Sequence, residues 1–254
     1  MGCIGGSGVI RGLMAAAASR VASGGGINPS WSAVALLLHG DSSVADSSSY
    51  ARSNTSGSNA PLIDTASKKH GAGSLYFNSG GSRHLRYTDG TGLGIGTGDF
   101  TVEFWINTTF DATGLSGSEP RLFAPASSAD QSGGLQVWIS KGAAGSANCV
   151  QLGAPTGGSV AIVSSVDAVN DGGWHHIAIT RASGASKIFL DGVLKQSASD
   201  SNNYTRWGTE GLYMASWVGS GGYFTGRLDD VRISVGVALY TADFTPPTAA
   251  FPNA

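Results

Sequence analysis

The sequence predicts an all-β chain folded as a two-sheet antiparallel sandwich, and three observations carry that expectation. Thirty-nine of the 254 residues are glycine and only 13% are charged; glycine weakens helix interiors and supplies turn conformations, so the chain turns often and sustains few long helices. Short runs alternate apolar and polar residues with the period of two that marks a half-buried strand. Asp191-Gly192, lying between the run that ends at Leu190 and Val193-Leu194, marks a tight hairpin, because both residues tolerate positive φ. Many antiparallel strands with tight turns bury their apolar faces by packing as two sheets.

Residues 1–30 stand apart as an N-terminal anchor segment, helical or extended. Ile10, Leu13, Met14, Ala17 and Val21 fall at helical spacing between Gly5/Gly6 and Gly24 to Gly26, which fits a short amphipathic helix over about 9–22. A frayed terminus is the plainer alternative; as an anchor, the stripe of Ile10, Leu13, Met14 and Val21 would dock on another protein. Residues 31–254 form one domain, a size common for single sandwiches. Strands are expected near 33–39, 74–77, 100–107, 135–140, 150–152, 160–163, 174–181, 187–190, 212–217 and 226–233. In the third of these Phe100, Val102, Phe104 and Ile106 share one face, with Thr101, Glu103, Trp105 and Asn107 on the other. Val231, Ile233 and Val235 are set likewise against Asp230, Arg232 and Ser234. The Ser/Asn-rich 47–59 segment reads as an exposed loop, and Pro246-Pro247 ends the sheet, because proline cannot donate to a ladder.

Composition excludes several classes of function. The net charge is −2 with no block of like charge, so there is no electrostatic footprint for nucleic acid or an anionic membrane. No stretch of about 18 apolar residues suggests a membrane span. The opening residues fit a secretory signal poorly, since no positive charge precedes the apolar part and Arg11 interrupts it. Gly6 stands where a myristoylation signal has Ser or Thr. Cys3 and Cys149 are too few and too far apart for a disulfide framework or a zinc site.

Four stretches together resemble the laminin-G-like, concanavalin-A-like jelly roll across about residues 33–247: LLLHGD at 36–41, DFTVEFWI at 99–106, GGWHHIAITRASGASKIFLDGVL at 172–194 and FTGRLDDVRIS at 224–234. The ending GVALYTADFTPPTAAFP is similar, more narrowly, to the ends of such domains in tailed-bacteriophage virion proteins. The resemblance implies that the DDVRI strand lies inside a sheet and that the following segment returns, pinned by Tyr240 and Phe244. It also treats the histidines after Trp174 as structural.

The candidate chemistry is sparse. Glycoside hydrolysis needs two carboxylates flanking the scissile bond, whereas the chain has only Glu103, Glu119 and Glu210 as glutamates and lacks the alternating acidic pair of related glucanases. Glu103 is expected to be a polar residue of the outer face or a sheet edge. No GxSxG occurs, adjacent His175 and His176 point to opposite faces of a strand, and GLGIGTG at 92–98 is a turn rather than a phosphate cradle. Calcium takes six to eight oxygens, and related jelly rolls often hold one ion between the exit of the first strand and the last strand. Asp41, Asp46 and Asp230 are therefore candidates for a structural calcium site, with turn capping as the alternative. Tyr204, Trp207, Trp217 and Tyr223 fall in or near Gly/Ser/Asn-rich stretches, where their rings would stack on sugars unless they serve packing.

The resemblance implies a bacteriophage virion structural protein, exposed on the particle surface and not an enzyme. The anchor would join it to other virion proteins, and a tail-fibre-like or receptor-binding jelly roll would meet a host surface glycan. A homo-oligomer is expected, because a short anchor gains from multivalency. Capsid decoration is the alternative role, and glycan degradation loses on its carboxylates.

Overall fold

Two antiparallel sheets pack face to face in the computed structural model, which describes residues 20–21, 27–126, 134–142, 147–153, 161–218 and 221–253. In chain order the strands are β1 (Arg20–Val21), β2 (Ile27–Asn28), β3 (Val34–Leu38), β4 (Leu62–Asp64), β5 (Ser74–Phe77), β6 (Leu85–Tyr87), β7 (Phe100–Asn107), β8 (Arg121–Pro125), β9 (Gln136–Ile139), β10 (Val150–Gly153), β11 (Ala161–Ser164), β12 (Trp174–Ala182), β13 (Ala185–Leu190), β14 (Val193–Ser199), β15 (Leu212–Met214) and β16 (Gly226–Val235). A five-residue helix, α1 (Arg206–Glu210), precedes β15. The larger sheet has eight strands in the order β14-β13-β12-β7-β16-β5-β4, with β3 also paired to β16; the smaller has six, β11-β10-β9-β8-β15-β6. This is the expected jelly-roll sandwich.

All ten expected runs form strands. Besides the two-residue β1 and β2, pattern reading missed β4 and β6, which have three residues each, and β8, which is buried throughout. Arg20 and Val21 pair with Asn28 and Ile27 in a two-stranded ribbon, which corrects the helix expected over 9–22 at its C-terminal end. Ile10, Leu13 and Met14 lie outside the described residues. The 47–59 segment is not merely an exposed loop. Arg52 is buried in an ion pair with Asp46 at 2.9 Å and donates to the carbonyls of Ala35, Asp89 and Thr91.

The inward faces build one core. Phe104 and Ile106 of β7, Leu36 and Leu38 of β3, and Val231 and Ile233 of β16 meet Phe123, Val137, Leu152 and Met214 of the smaller sheet. Strand β16 is the organising element, because it is long enough to change partner. On one side it pairs with β7; on the other it pairs first with β5 through Gly226 to Leu228 and then with β3 through Val231 to Ser234. Asp229 and Asp230 sit at that fork, where the register with β7 shifts and Asp230 adopts φ 44°. The Asp229 carboxylate accepts the backbone N–H groups of Lys69 and His70 at 2.7 and 3.0 Å, and Asp230 binds Nδ1 of His39 at 2.8 Å. Side chains thus replace the ladder that the fork interrupts, as buried backbone donors require.

The outward face of the larger sheet is covered over part of its length by the segment after β16. Thr101 Oγ1 donates to the Val237 carbonyl and accepts from Leu239 N–H, Thr180 Oγ1 donates to the Tyr240 carbonyl, and Phe244 N–H donates to the carbonyl of Gly192. Asp191-Gly192 forms the expected hairpin with φ of 51° and 80°. A Cβ on Gly192 would lie 2.0 Å from the Phe244 carbonyl oxygen, so this turn needs glycine both for its conformation and for the tail. Tyr240 and Phe244 stack with ring centroids 3.7 Å apart over Ala178 and Phe189, and Phe251 caps Val34 and Leu37.

Beneath this cover lies Glu103, fully buried rather than on an exposed outer face or edge. Arg232 meets its Oε1 through Nε at 2.9 Å and through Nη2 at 2.7 Å, and the Tyr240 hydroxyl donates to Oε2 at 2.9 Å. Burial opposes the carboxylate, but Arg232 and His176 overcome it and hold its pKa below the ordinary range. Glu103→Ala would leave the guanidinium buried without its carboxylate, and urea unfolding should show a loss of about 3–5 kcal/mol. Tyr240→Phe removes one hydrogen bond to the same carboxylate and should cost about 1.5–3 kcal/mol. Equal effects of the two would contradict this account.

Candidate functional site

The tail leaves the opposite end of the outward face uncovered. There the registers align Leu62 of β4, Tyr76 of β5, Arg227 of β16, Asn107 of β7 and Trp174 of β12 in one row across five strands. Directly paired residues share a face of a sheet, so the row is continuous. Leu62 is exposed, Tyr76, Arg227 and Trp174 are half-buried, and Asn107 is buried. The middle of the row floors a cleft of about 580 Å³, rimmed by Thr108 to Asp111, Gly172 and Thr225.

Hydrogen bonds hold the polar groups in place. Asn107 Nδ2 donates to the carbonyls of Gly172 and Gly173 at 2.5 and 3.0 Å, leaving Oδ1 toward Arg227 Nη1 at 3.3 Å. Arg227 lies over the Tyr76 ring with Cζ 5.0 Å from its centroid and donates to Asp64 through Nε at 2.6 Å. The Arg227 hydrogen bond holds the Asp64 carboxyl below its usual range, so the guanidinium charge is already matched. Thr108 Oγ1 joins the two rims by donating to the Thr225 carbonyl at 2.7 Å. Asp111, on the rim, accepts from Asn148 Nδ2 and from Thr113 N–H, both at 2.9 Å. A guanidinium over an aromatic ring, beside a carboxamide and hydroxyls, offers contacts for a polar ring with many hydroxyl groups. It supplies no nucleophile held by a base.

The residues singled out from sequence fall elsewhere and do not converge. Tyr204 and Trp207 are in the core, each 1% exposed, which corrects the expectation that they stack on a ligand. Tyr204 bridges to Gly96 through backbone hydrogen bonds and directs its hydroxyl to Asp200. Trp207 enters the core from α1, whose backbone passes so close to Gly90 that a Cβ there would lie 2.2 Å from the Trp207 carbonyl oxygen. Glycines that suggested a solvent loop instead permit close packing. Trp217, half-buried, lies over the Arg121 guanidinium at 4.7 Å, with Trp138 near the same group at 5.0 Å, and burial lowers the Arg121 pKa to about 10. Tyr223 is half-buried.

The three aspartates proposed for calcium are each committed separately. Asp41 accepts from Ala72 N–H at 2.5 Å, Asp46 is bound to Arg52, and Asp230 is bound to His39. Among the described residues no group of three or more His, Cys, Asp or Glu side chains is arranged to hold a metal. Turn capping and ion pairing engage one or both oxygens of each carboxylate, while Asp230 Oδ2 is buried without a partner. The row across β5, β16 and β7 escaped sequence reading because its members come from distant strands, although Asn107 had been placed on the outward face.

Residues 78–239 match the Laminin_G_3 family model, described as the concanavalin A-like lectin/glucanases superfamily. No curated protein matches the chain by sequence. Among solved structures, domain 4 of AbnA, a GH43 extracellular arabinanase from Geobacillus stearothermophilus in complex with arabinotriose, superposes with a TM-score of 0.58 at 17% identity, covering 80% of this chain and 92% of that one. The receptor binding domain of botulinum neurotoxin D gives 0.58 at 16% identity, covering 82% of this chain and 50% of that one. The binding domain of Paraclostridial Mosquitocidal Protein 1 gives 0.55 at 13%, covering 80% and 49%. The chain thus spans about half of each toxin binding domain, and these likenesses establish the shared fold.

Close to the cleft, His175 is clamped between Asp191, through Nδ1 at 2.8 Å, and Asp171, through Nε2 at 3.0 Å. The Asp191 hydrogen bond is the main cause that raises its pKa from 6.5 to about 9, against burial. The protonated form is the one favoured by folding. Its contribution is therefore complete below pH 6.5 and is lost as pH rises through about 9. An NMR titration of His175 should have its midpoint near 9, and His175→Gln should flatten the fall in stability across that window.

Proposed function

The chain belongs to the concanavalin A-like lectin/glucanases superfamily, and from that premise we propose that it is a non-catalytic module that binds carbohydrate in the Tyr76–Arg227–Asn107 cleft. The observation that carries this reading is the uncovered row itself, an aromatic-guanidinium stack next to fixed hydrogen-bonding groups on rigid strands. Such a site reads a ring by one flat face and several directed polar contacts. Catalysis has little support. Glu103 is enclosed in its ion pair with Arg232, Asp64 is committed to Arg227, and hydrogen bonds from Asn148 and Thr113 hold the rim carboxyl of Asp111 below its usual pKa range, so none of the three is placed as a proton donor for a bound sugar.

The same reading sets the module on a tailed-bacteriophage particle, as a tail-fibre-like or receptor-binding protein facing a host surface glycan. Its support is the likeness of residues 236–252 to the ends of domains in phage virion proteins. Residues 1–30 would supply the joint to other virion proteins, and several copies would raise avidity for repeated surface sugars.

A microarray of bacterial surface polysaccharides should show binding by the full chain, and Tyr76→Ala should weaken it about tenfold, or about 1.4 kcal/mol, with unchanged thermal stability. Unaltered binding in that variant would move the site elsewhere. Immunogold labelling of intact particles should decorate the tail. Label confined to the head would replace host recognition with capsid decoration, and no label would remove the protein from the particle surface.

A further inference from the structure

We propose that the ligand is a linear oligosaccharide of at least two rings, held in two neighbouring subsites along β7, the second of them built on Trp105. This rests on the carbohydrate-binding reading and extends it to ligand class. Trp105 and Asn107 are two residues apart on one strand and share its outward face, so their Cα atoms are about 7 Å apart. Asn107 lines the cleft described above. Trp105 lines another of about 400 Å³, with Lys69 and His70 on one side and residues 245–248 of the tail on the other.

The second cleft brings together two buried ring nitrogens that have no hydrogen-bond partner. Trp105 is 4% exposed, yet its Nε1 has no hydrogen-bond partner. An indole N–H can only donate, and a buried donor left unmet is costly. His70 Nε2, on a ring set edge-on to Trp105 at 5.7 Å, is also buried without a partner. The ring face of Trp105 is occupied by Lys69 Nζ at 3.9 Å, the end of a flexible side chain that an incoming ring can displace. Hydroxyl oxygens of a second sugar would meet both nitrogens while its ring lay where the ammonium now lies.

The position on the sheet argues for a sugar over a peptide. An extended peptide binds by pairing with a free strand edge, whereas β7 is central, paired on one side with β12 and on the other with β16. Its backbone groups are used, so a ligand over it must be read by side chains. The lining supplies ring faces, donors and acceptors, with the Arg227 charge matched by Asp64. Together with the Lys69 ammonium and the Asp111 carboxylate on the rims, those are the complements of linked rings rich in hydroxyl groups.

Calorimetry of the full chain against glucose, arabinose, N-acetylglucosamine and their linear dimers, trimers and pentamers tests this, alongside the polysaccharide microarray. The expected result is at least a tenfold gain in affinity from monomer to dimer or trimer in the series that binds. Trp105→Ala should abolish that gain, so that the trimer binds no more tightly than the monomer. If that variant does not fold, Trp105→Phe, which keeps a ring and removes the N–H, should lose at least threefold for the trimer. Tyr76→Ala should weaken every length. Equal affinity for monomer and trimer, or trimer binding unaffected by the Trp105 variants, would overturn the two-subsite inference while leaving a one-ring glycan site. Absence of binding to every probe in both experiments would overturn the carbohydrate reading and this inference with it.

Discussion

A carboxylate in the middle of a β-sheet constrains the rest of this molecule. Glu103 lies on β7, the partner of both β12 and β16, on the face turned away from the main core. An isolated ionised carboxylate there would be very costly without water. Arg232, directly across on β16, supplies the charge, and Tyr240 supplies a further hydrogen bond from the tail. Arg232 in turn reaches Asn28 of β2 and lies under Phe251, with Cζ 3.8 Å from the ring. One ion pair therefore ties a central strand to both ends of the domain. This arrangement fixes the position of the tail over the sheet, more than it adds net stability, since buried pairs gain little over well-packed apolar residues.

The outward face of β7 registers that division residue by residue. Thr101 is bonded to the tail backbone, Glu103 to a tail side chain, Trp105 borders the tail across a cleft, and Asn107 lies beyond it. The alternation in DFTVEFWIN identified this face from sequence, and all eight strand residues proved buried. Period two separates faces, but it does not say what covers the second one. The cover comes from residues more than 130 positions away, and only its ending, through resemblance, hinted that it folds back. The fork in β16 was equally hidden. Asp229-Asp230 reads as a polar pair in a strand, whereas the structure uses the two carboxylates to close the gap between β5 and β3.

Aromatic residues were the least legible part of the site. Tyr204 and Trp207 sit among glycines, and glycine is ambiguous because it serves both mobile loops and tight approaches of backbone. Here the approach of α1 to the 90–94 loop decides the matter, and Trp207 fills the core. Tyr76 carried no such flag. It lies in SLYF, a four-residue strand whose alternate residues Leu75 and Phe77 fill the core, and its importance arises only when Arg227 pairs opposite it. A binding row assembled across strands is a property of register, and register follows from the topology of the whole sheet.

That origin also explains why the cleft belongs at this end of the sheet. Among the described residues, buried apolar partners meet the outward face where the tail passes, and side chains there are committed to it, as Ala178, Phe189 and Leu37 are. Among the described residues no such partners lie over the far end, and there the side chains satisfy one another laterally: Asp64 with Arg227, Arg227 with Asn107, and Asn107 with the rim carbonyls of Gly172 and Gly173. Lateral bonds and the guanidinium over the Tyr76 ring fix these groups against one another. A platform preorganised in that way loses little freedom when a ring settles on it, and reduced ordering cost is what lets a modest contact area bind. The carboxylate that draws the tail over one half of the face thereby leaves the other half to this lateral network, on which the proposed site rests.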